Sequence, residues 1–247
     1  MKVIFLGTNG WFSTLTGNTS CILIDSREFY IILDAGDGLY KIDNYIKDDK
    51  PILLFLSHLH LDHIVGIHIF NKFQFKEKMQ IYGYTGIKKN IDTILRHPFT
   101  VPLSELPFNA EIHEIEEGEY KQPVNFNCKL LVHSDLCLGY RFELDDKKIA
   151  YCTDTGMCDN ILELANDVDL LISECSYKSG QFEDSWPHLN PESAANIAKQ
   201  CNVKQLIITH FDASLYKTME ERKQSETAAK IFFNNTIAAY DGLNFEL

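Results

Sequence analysis

The run Ile52-Leu53-Leu54-Phe55-Leu56, followed one residue later by His58-Leu59-His60-Leu61-Asp62-His63, decides how this chain is read. Five consecutive apolar residues without alternation predict a strand buried on both faces. The next stretch gathers three imidazoles and one carboxylate, and helical periodicity begins at Asp62. Polar groups collected where a buried strand hands over to a helix sit at the sheet edge where α/β folds place their sites. Imidazole nitrogen and carboxylate oxygen are donors that zinc, iron and manganese accept. A histidine-rich surface loop is the bland alternative, and the rest of the chain argues against it.

Outward from this stretch, strand-like runs precede it at Lys2–Leu6, Thr19–Ile24 and Tyr30–Leu33, separated by turn signals such as Asn9-Gly10 and Gly36-Asp37-Gly38. Helical periodicity follows at Asp62–Phe73 and Gly86–Leu95. A second series of strands is predicted at Ile112–Ile115, Cys128–Val132, Tyr140–Leu144 and Lys148–Tyr151. After it come a helix at Asn160–Ala165, a strand at Leu170–Ser173, a helix at Pro191–Gln200 and a strand at Gln205–Thr209. A helix at Thr218–Phe233 and a strand at Asn244–Leu247 close the chain. Pro191 suits a first helical turn, with Asn190 as its N-cap. Strands in two batches, each followed by helices, predict two sheets packed face to face with helices outside. That is an α/β fold, a four-layer α/β/β/α sandwich, expected as one domain over residues 1–247.

Five more polar residues stand at the ends of apolar runs: Asp34, His133, Asp154, Glu174 and His210. One alone would more often be a turn or cap residue. Together with His58, His60, Asp62 and His63 they favour a metal centre at a shared sheet edge.

The bulk numbers restrict the partners. The formal net charge is −12 over 247 residues, which disfavours a long phosphate-binding surface. It leaves room for a small anionic substrate, because divalent cations can make one pocket locally positive. No stretch of about 18 apolar residues occurs, so no membrane span is expected. Cys21, Cys128, Cys137, Cys152, Cys158, Cys175 and Cys201 are odd in number and form no Cys-x-x-Cys pair. Small buried thiols and a cytoplasmic location are expected.

The pattern His58-x-His60-x-Asp62-His63, with His133, Asp154 and His210 downstream, resembles the metallo-β-lactamase superfamily over nearly the whole length. The resemblance implies two divalent metal ions, zinc foremost, with manganese or iron as alternatives. His58, His60 and His133 would hold one; Asp62, His63 and His210 would hold the other; Asp154 would bridge them. Asp34 matches an aspartate that supports such sites from behind the ligands. Within the superfamily, Phe5-Leu6-Gly7-Thr8, Gly139-Tyr140-Arg141-Phe142, Pro187-His188-Leu189-Asn190-Pro191, Thr209-His210-Phe211 and Tyr240-Asp241-Gly242 are most similar to ribonuclease Z and related small phosphodiesterases. That likeness implies a catalytic role for His188, with Glu174 orienting its imidazole; Asp62 is expected to orient the attacking water as well as to bind metal. The likeness also suggests a homodimer. The Gly/Pro-rich basic arm with which bacterial ribonuclease Z clamps tRNA has no counterpart here.

The leading expectation is a metal-dependent phosphodiesterase for a small or nucleotide-like diester. Such a centre lowers the pKa of a water and offsets charge on phosphoryl oxygens. The first alternative is an RNA 3′ endonuclease acting on tRNA, which the charge and missing arm disfavour. The second is hydrolysis of a carboxylic ester, thioester or lactam on the same scaffold. A di-iron redox protein would need a fused flavin domain, and a purely binding relative would be expected to lose ligands. His68, His97 and His113 are expected outside the site, and Arg141 to make a strand-face salt bridge or reach substrate. The segment His97–Phe108 is expected as a wall over the metals, a dimer contact or a loop packed on the core. Glu220-Glu221-Arg222-Lys223 reads as a solvated helix face.

Overall fold

The computed structural model describes residues 1–247. The first half of the chain forms β1 (Lys2–Gly7), β2 (Asn9–Gly10), β3 (Cys21–Asp25), β4 (Tyr30–Leu33), β5 (Ile52–Phe55), β6 (Met79–Tyr84) and β7 (Ala110–Ile115). The second half forms β8 (Gly118–Tyr120), β9 (Asn125–Leu131), β10 (Cys137–Leu144), β11 (Lys147–Cys152), β12 (Leu170–Glu174), β13 (Gln205–Thr209), β14 (Phe211–Asp212), β15 (Thr236–Ala238) and β16 (Asn244–Glu246). One seven-stranded sheet runs β16-β1-β3-β4-β5-β6-β7, a second runs β15-β13-β12-β11-β10-β9-β8, and β14 pairs with β2. The helices are α1 (Leu61–Ile64), α2 (Ile87–Ile94), α3 (Asp159–Ala165), α4 (Pro191–Gln200) and α5 (Met219–Phe232).

Three apolar layers explain why the central strands carry unbroken apolar runs. Leu53 and Phe55 of β5, Leu170 and Ile172 of β12, and Ile207 of β13 meet between the sheets. Their neighbours Ile52 and Leu54 face the outer layer of the first sheet. Leu171, Leu206 and Ile208 face the outer layer of the second. With both faces covered, every position must be apolar. At the middle of the inter-sheet layer, Phe55 meets Phe126, Tyr140 and Phe142 edge to face at 5.0, 5.3 and 4.9 Å. Truncating such a ring costs about 3–5 kcal/mol. The outer layer of the first sheet is covered by α1, α2 and two 3₁₀ segments, Asp37–Asn44 and Val65–Lys72; α3, α4 and α5 cover the second. The four-layer sandwich read from the sequence is the observed architecture. No helix is long and apolar enough to cross a membrane.

Local signals held at α4, where Asn190 Oδ1 accepts from Ser193 N at 2.8 Å and Pro191 opens the helix. At α5, Thr218 and Glu221 form a capping box. All seven cysteines are free, and all but Cys158 are buried.

Two expectations need correction, and several elements carried no sequence signal. The helix expected over Asp62–Phe73 is α-helical only at Leu61–Ile64 and 3₁₀ from Val65 to Lys72. Gly66 N donates to Ala35 O at 2.8 Å, a bond across the layer that replaces the regular helical one. Strand β6 was not expected, because Gln80 and Gly83 break its apolar run; pairing with β5 and β7 creates it. Segment 37–44 and the short strands β8 and β15 also carry no strong local signal. Finally, Arg222 leaves the expected solvated face and is 1% exposed. Its guanidinium donates to Thr8 Oγ1 at 2.8 Å, to Asn9 Oδ1 and to Thr16 Oγ1 at 3.3 Å, and lies 4.8 Å from the Phe211 ring centre. Arg222 therefore ties α5 to the chain around β2, from Thr8 to Thr16.

Candidate metal centre

Strands β4 and β5 run parallel in one sheet, and β11, β12 and β13 run parallel in the other. Their carboxyl ends open on a common edge, and the polar residues expected there follow directly. Asp34 follows β4, His58–His63 follow β5, Asp154 follows β11, Glu174 ends β12 and His210 follows β13. His133 arrives from the end of β9. Asp34, Asp154 and His210 have φ values of 56°, 49° and 55°. This left-handed turn costs roughly 1–2 kcal/mol per residue, least for short polar side chains. Strain of this kind clusters at functional sites.

The donors fall into two groups around one carboxylate. His58, His60, His133 and Asp154 offer donor atoms within 4.8 Å of one another, as do Asp62, His63 and His210. Asp154 divides its oxygens between them. Its Oδ2 lies 3.8 Å from both His58 Nε2 and His133 Nε2, while its Oδ1 lies 3.3 Å from His63 Nε2 and 3.2 Å from His210 Nε2. His60 Nδ1 is 3.1 Å from His133 Nε2, and His63 Nε2 is 3.0 Å from His210 Nε2. Asp62 Oδ2 sits 3.5 and 3.3 Å from the second pair of nitrogens. Metal–nitrogen bonds of ~2.0–2.1 Å in a tetrahedron put donors ~3.3 Å apart. His58 Nε2 is buried with no hydrogen-bond partner. An orphaned imidazole nitrogen among converging donors fits a divalent cation.

Residues 30–211 match the family model described as Beta-lactamase superfamily domain. The chain belongs to the beta-lactamase superfamily. Ribonuclease Z of Bacillus velezensis is 26% identical over 304 residues, covering 98% of this chain and 97% of the relative. That aligned length exceeds the 247 residues of this chain, so the relative carries inserted segments. The Probable metallo-hydrolase YhfI of Bacillus subtilis is 28% identical over 228 residues, covering 85% of this chain and 87% of the relative. In fold, the crystal structure of YhfI from Bacillus subtilis superposes with a TM-score of 0.83 at 23% identity, covering 100% of this chain and 98% of that one. Human tRNase Z, short form, gives a TM-score of 0.77 at 21% identity, covering 100% and 99%.

In this superfamily member each inner histidine is held from behind. Asp34 Oδ2 accepts from His63 Nδ1 at 2.7 Å, from Ser57 Oγ at 2.8 Å and from Tyr151 OH at 2.7 Å. Ser57 Oγ in turn accepts from His58 Nδ1 at 3.0 Å. Ser176 Oγ donates to His210 O at 3.0 Å and accepts from His210 Nδ1 at 3.0 Å. A proton fixed on Nδ1 leaves the Nε2 lone pair facing the centre. Trp11 N donates to Asp62 Oδ2 at 2.7 Å, and a Cβ at Gly10 would lie 2.6 Å from His210 Cε1, so the loop approaches only as glycine.

The buried charges sort themselves by neighbour. Burial opposes ionisation of Asp62 and Asp154, yet His63 and His210 outweigh it and hold both below the usual carboxylate range. Burial, helped by His63 and His133, pushes His58 down. Burial also disfavours the His63 imidazolium, but Asp154, Asp62 and Asp34 raise it. The carboxylates thus favour positive charge at the centre, supplied by protons or by cations.

Beside the centre, the buried Glu174 carboxylate accepts from Thr155 N at 2.6 Å, Ser176 N at 3.1 Å and His188 Nδ1 at 2.7 Å. Burial disfavours the His188 imidazolium, but Glu174, with Asp154 and Asp212, overrides it and raises the pKa to about 9. The His188 ring centre is 5.4 Å from that of His133. His188, His60, Asp62, His133, Asp154 and His210 line one cleft of about 570 Å³. A larger cavity of about 920 Å³ lies between α2 and the chain before β7 and contains no histidine, so size alone does not mark the site.

All the ligand-type residues read from the sequence meet here, as do Asp34, Glu174 and His188. His68 and His97 lie elsewhere, and His113 stacks on Tyr82 with ring centres 4.9 Å apart. Arg141 makes neither a strand-face salt bridge nor a contact in the cleft: Nη1 caps the end of α3 at Leu164 O and Asn166 O, 3.1 and 2.5 Å away. No residue of His97–Phe108 lines the cleft, and Leu103 and Leu106 pack on the core. Ser57, Tyr151, Ser176, Trp11, Trp186 and Asp212 belong to the site and escaped the sequence reading. Ser57, Ser176, Trp186 and Asp212 each lie within two residues of a position already singled out, which was the only local signal.

Proposed function

We propose that this superfamily hydrolase is a phosphodiesterase that acts on a small or nucleotide-like diester with two divalent cations. The observation that carries the reading is the His188–Glu174 pair beside the divided donors of Asp154. A carboxylate that keeps an imidazole protonated places a hydrogen-bond donor where a phosphoryl or departing oxygen gathers charge. Both sheets contribute donors, so we read residues 1–247 as one domain.

His58, His60 and His133 would hold one cation and Asp62, His63 and His210 the other, with Asp154 shared. When bound, the cations would supply an activated water at neutral pH and offset phosphoryl charge. His188 donates its Nε2 proton to the diester, and Glu174 holds the ring against burial. Asp62, fixed through one oxygen by Trp11 N, orients the incoming water. Ser57, Asp34 and Ser176 hold the imidazole tautomers. Zinc is placed first, manganese and iron next.

Metal analysis together with assays on bis(p-nitrophenyl) phosphate, a 2′,3′-cyclic nucleotide, unprocessed tRNA and a β-lactam tests the reading. Diester turnover with about two cations per chain is expected. Turnover of the lactam alone would overturn it. A second reading, tRNA 3′ processing in a cytoplasmic homodimer, is favoured by the name Ribonuclease Z on relatives aligned nearly end to end. A charge of −12 and the relative's extra segments weigh against it.

A further inference from the structure

The walls of the cleft carry information that its floor does not. The chain has two tryptophans, and both line this cleft. Trp11 enters on the loop between β2 and β3, Trp186 on the loop between β12 and α4. Their exposures are 68% and 49%, large for so big an aromatic side chain. Trp11 also has a φ of 71°, a conformation that glycine takes freely and a bulky residue does not. A strained, exposed tryptophan at the mouth of a site marks a ring kept there for use. The Trp186 ring centre lies 6.2 Å from that of His133 and 6.3 Å from that of His188, and Trp186 O accepts from Tyr177 OH at 2.7 Å. The second wall thus overhangs the donors on which the chemistry rests.

Charge gives the other half. None of the twelve lining residues is lysine or arginine. Proteins that track several phosphates rely mainly on those two residues. The only formal charges outside the donor groups are Asp212, a carboxylate, and His188. A further phosphate, set back from the donor groups, would meet the carboxylate of Asp212 and no lysine or arginine.

On the phosphodiester reading, we infer that the cleft selects a singly charged diester with a flat, uncharged aromatic substituent such as a nucleoside base. Trp11 and Trp186 are the surfaces on which that ring stacks, and substrates with additional phosphates are turned away. Aromatic stacking tolerates any base, because every base has a π face.

Three esters with p-nitrophenolate as the common leaving group test this on the metal-loaded full chain: thymidine 5′-p-nitrophenyl phosphate, its 3′-phosphorylated form and methyl p-nitrophenyl phosphate. The thymidine ester should exceed the methyl ester in kcat/KM at least about tenfold, and the 3′-phosphate should cost at least about tenfold. Trp186→Leu and Trp11→Leu should each shrink the thymidine-to-methyl ratio about fivefold or more, through KM. Trp186→Phe, which keeps a flat ring, should retain most of it. A ratio unmoved by both leucine variants, or equal use of the 3′-phosphorylated ester, overturns the inference. A second readout does not need turnover. Saturable quenching of tryptophan fluorescence by thymidine 5′-methylphosphate is expected, because both fluorophores line the cleft, and it should weaken in Trp186→Leu. If no ester is cleaved but quenching saturates, the hydrolytic reading falls and the aromatic subsite stands. Absence of quenching overturns the subsite whatever the turnover.

Discussion

The floor and the rim of the cleft are built on opposite rules. On the floor, His58, His63, Asp154 and His210 are at most 3% exposed, and each is engaged by a neighbouring side chain: Ser57, Asp34, Thr153 and Ser176 in turn. At the rim, Trp11, Leu61 and Trp186 leave between about half and most of their surface in water. A buried polar group must find partners or lose about 1–3 kcal/mol, so the floor is tightly determined. An exposed ring carries no such demand, so the rim is free to vary with the substrate. Catalytic class is therefore a property of the floor, and selectivity a property of the rim.

The largest effects should come from the shared carboxylate. Asp154→Ala should remove metal from both donor groups and lower activity by more than the about 100-fold typical of supporting residues. Metal content per chain measured beside kcat checks this; full metal content would break the view that Asp154 joins the groups. Next, His188→Ala should lower kcat for a diester about 10²–10⁴-fold with metal content unchanged. Survival of turnover would remove His188 from the chemistry. Ser176→Ala, which strips His210 of its outer partner, should weaken metal affinity about 10–100-fold, read by competition with a chelator. Arg222→Met should lower stability by roughly 1–3 kcal/mol in thermal melting, since it leaves Thr8 and Asn9 without their buried donor. Smallest of all, Phe99→Ser, on an exposed loop away from the cleft, should change stability within about ±0.5 kcal/mol and leave turnover as it was. A large activity loss there would restore the loop 97–108 as a wall of the site.

The legible parts of this molecule share one cause. Ile52–Leu56, Leu170–Ser173 and Gln205–Thr209 are buried on both faces, so their composition alone announces strands. The residues that follow them had to be polar only if the chain needed donors at that edge. Where local and global demands coincide, sequence reading succeeds. It failed where they part. β6 contains Gln80 and Gly83 and becomes a strand only by pairing on both sides. Arg222 sits in a run that looks solvated, and its fate depends on Thr8 and Asn9, more than 200 positions away. Loop 97–108 is apolar enough for several roles, and only its packing chooses one.

The chain's own order of residues determined the sandwich and the identity of the donors, because burial periodicity and donor chemistry are local properties of a sequence. Tertiary structure alone decided that Asp154 turns one oxygen to each group, that Ser57, Ser176 and Tyr151 stand behind the ligands, and that Trp11 and Trp186 face the same cleft. Those are relations between residues brought from different strands of two sheets, and distances of about 3 Å between such residues are set by packing, which no local pattern records.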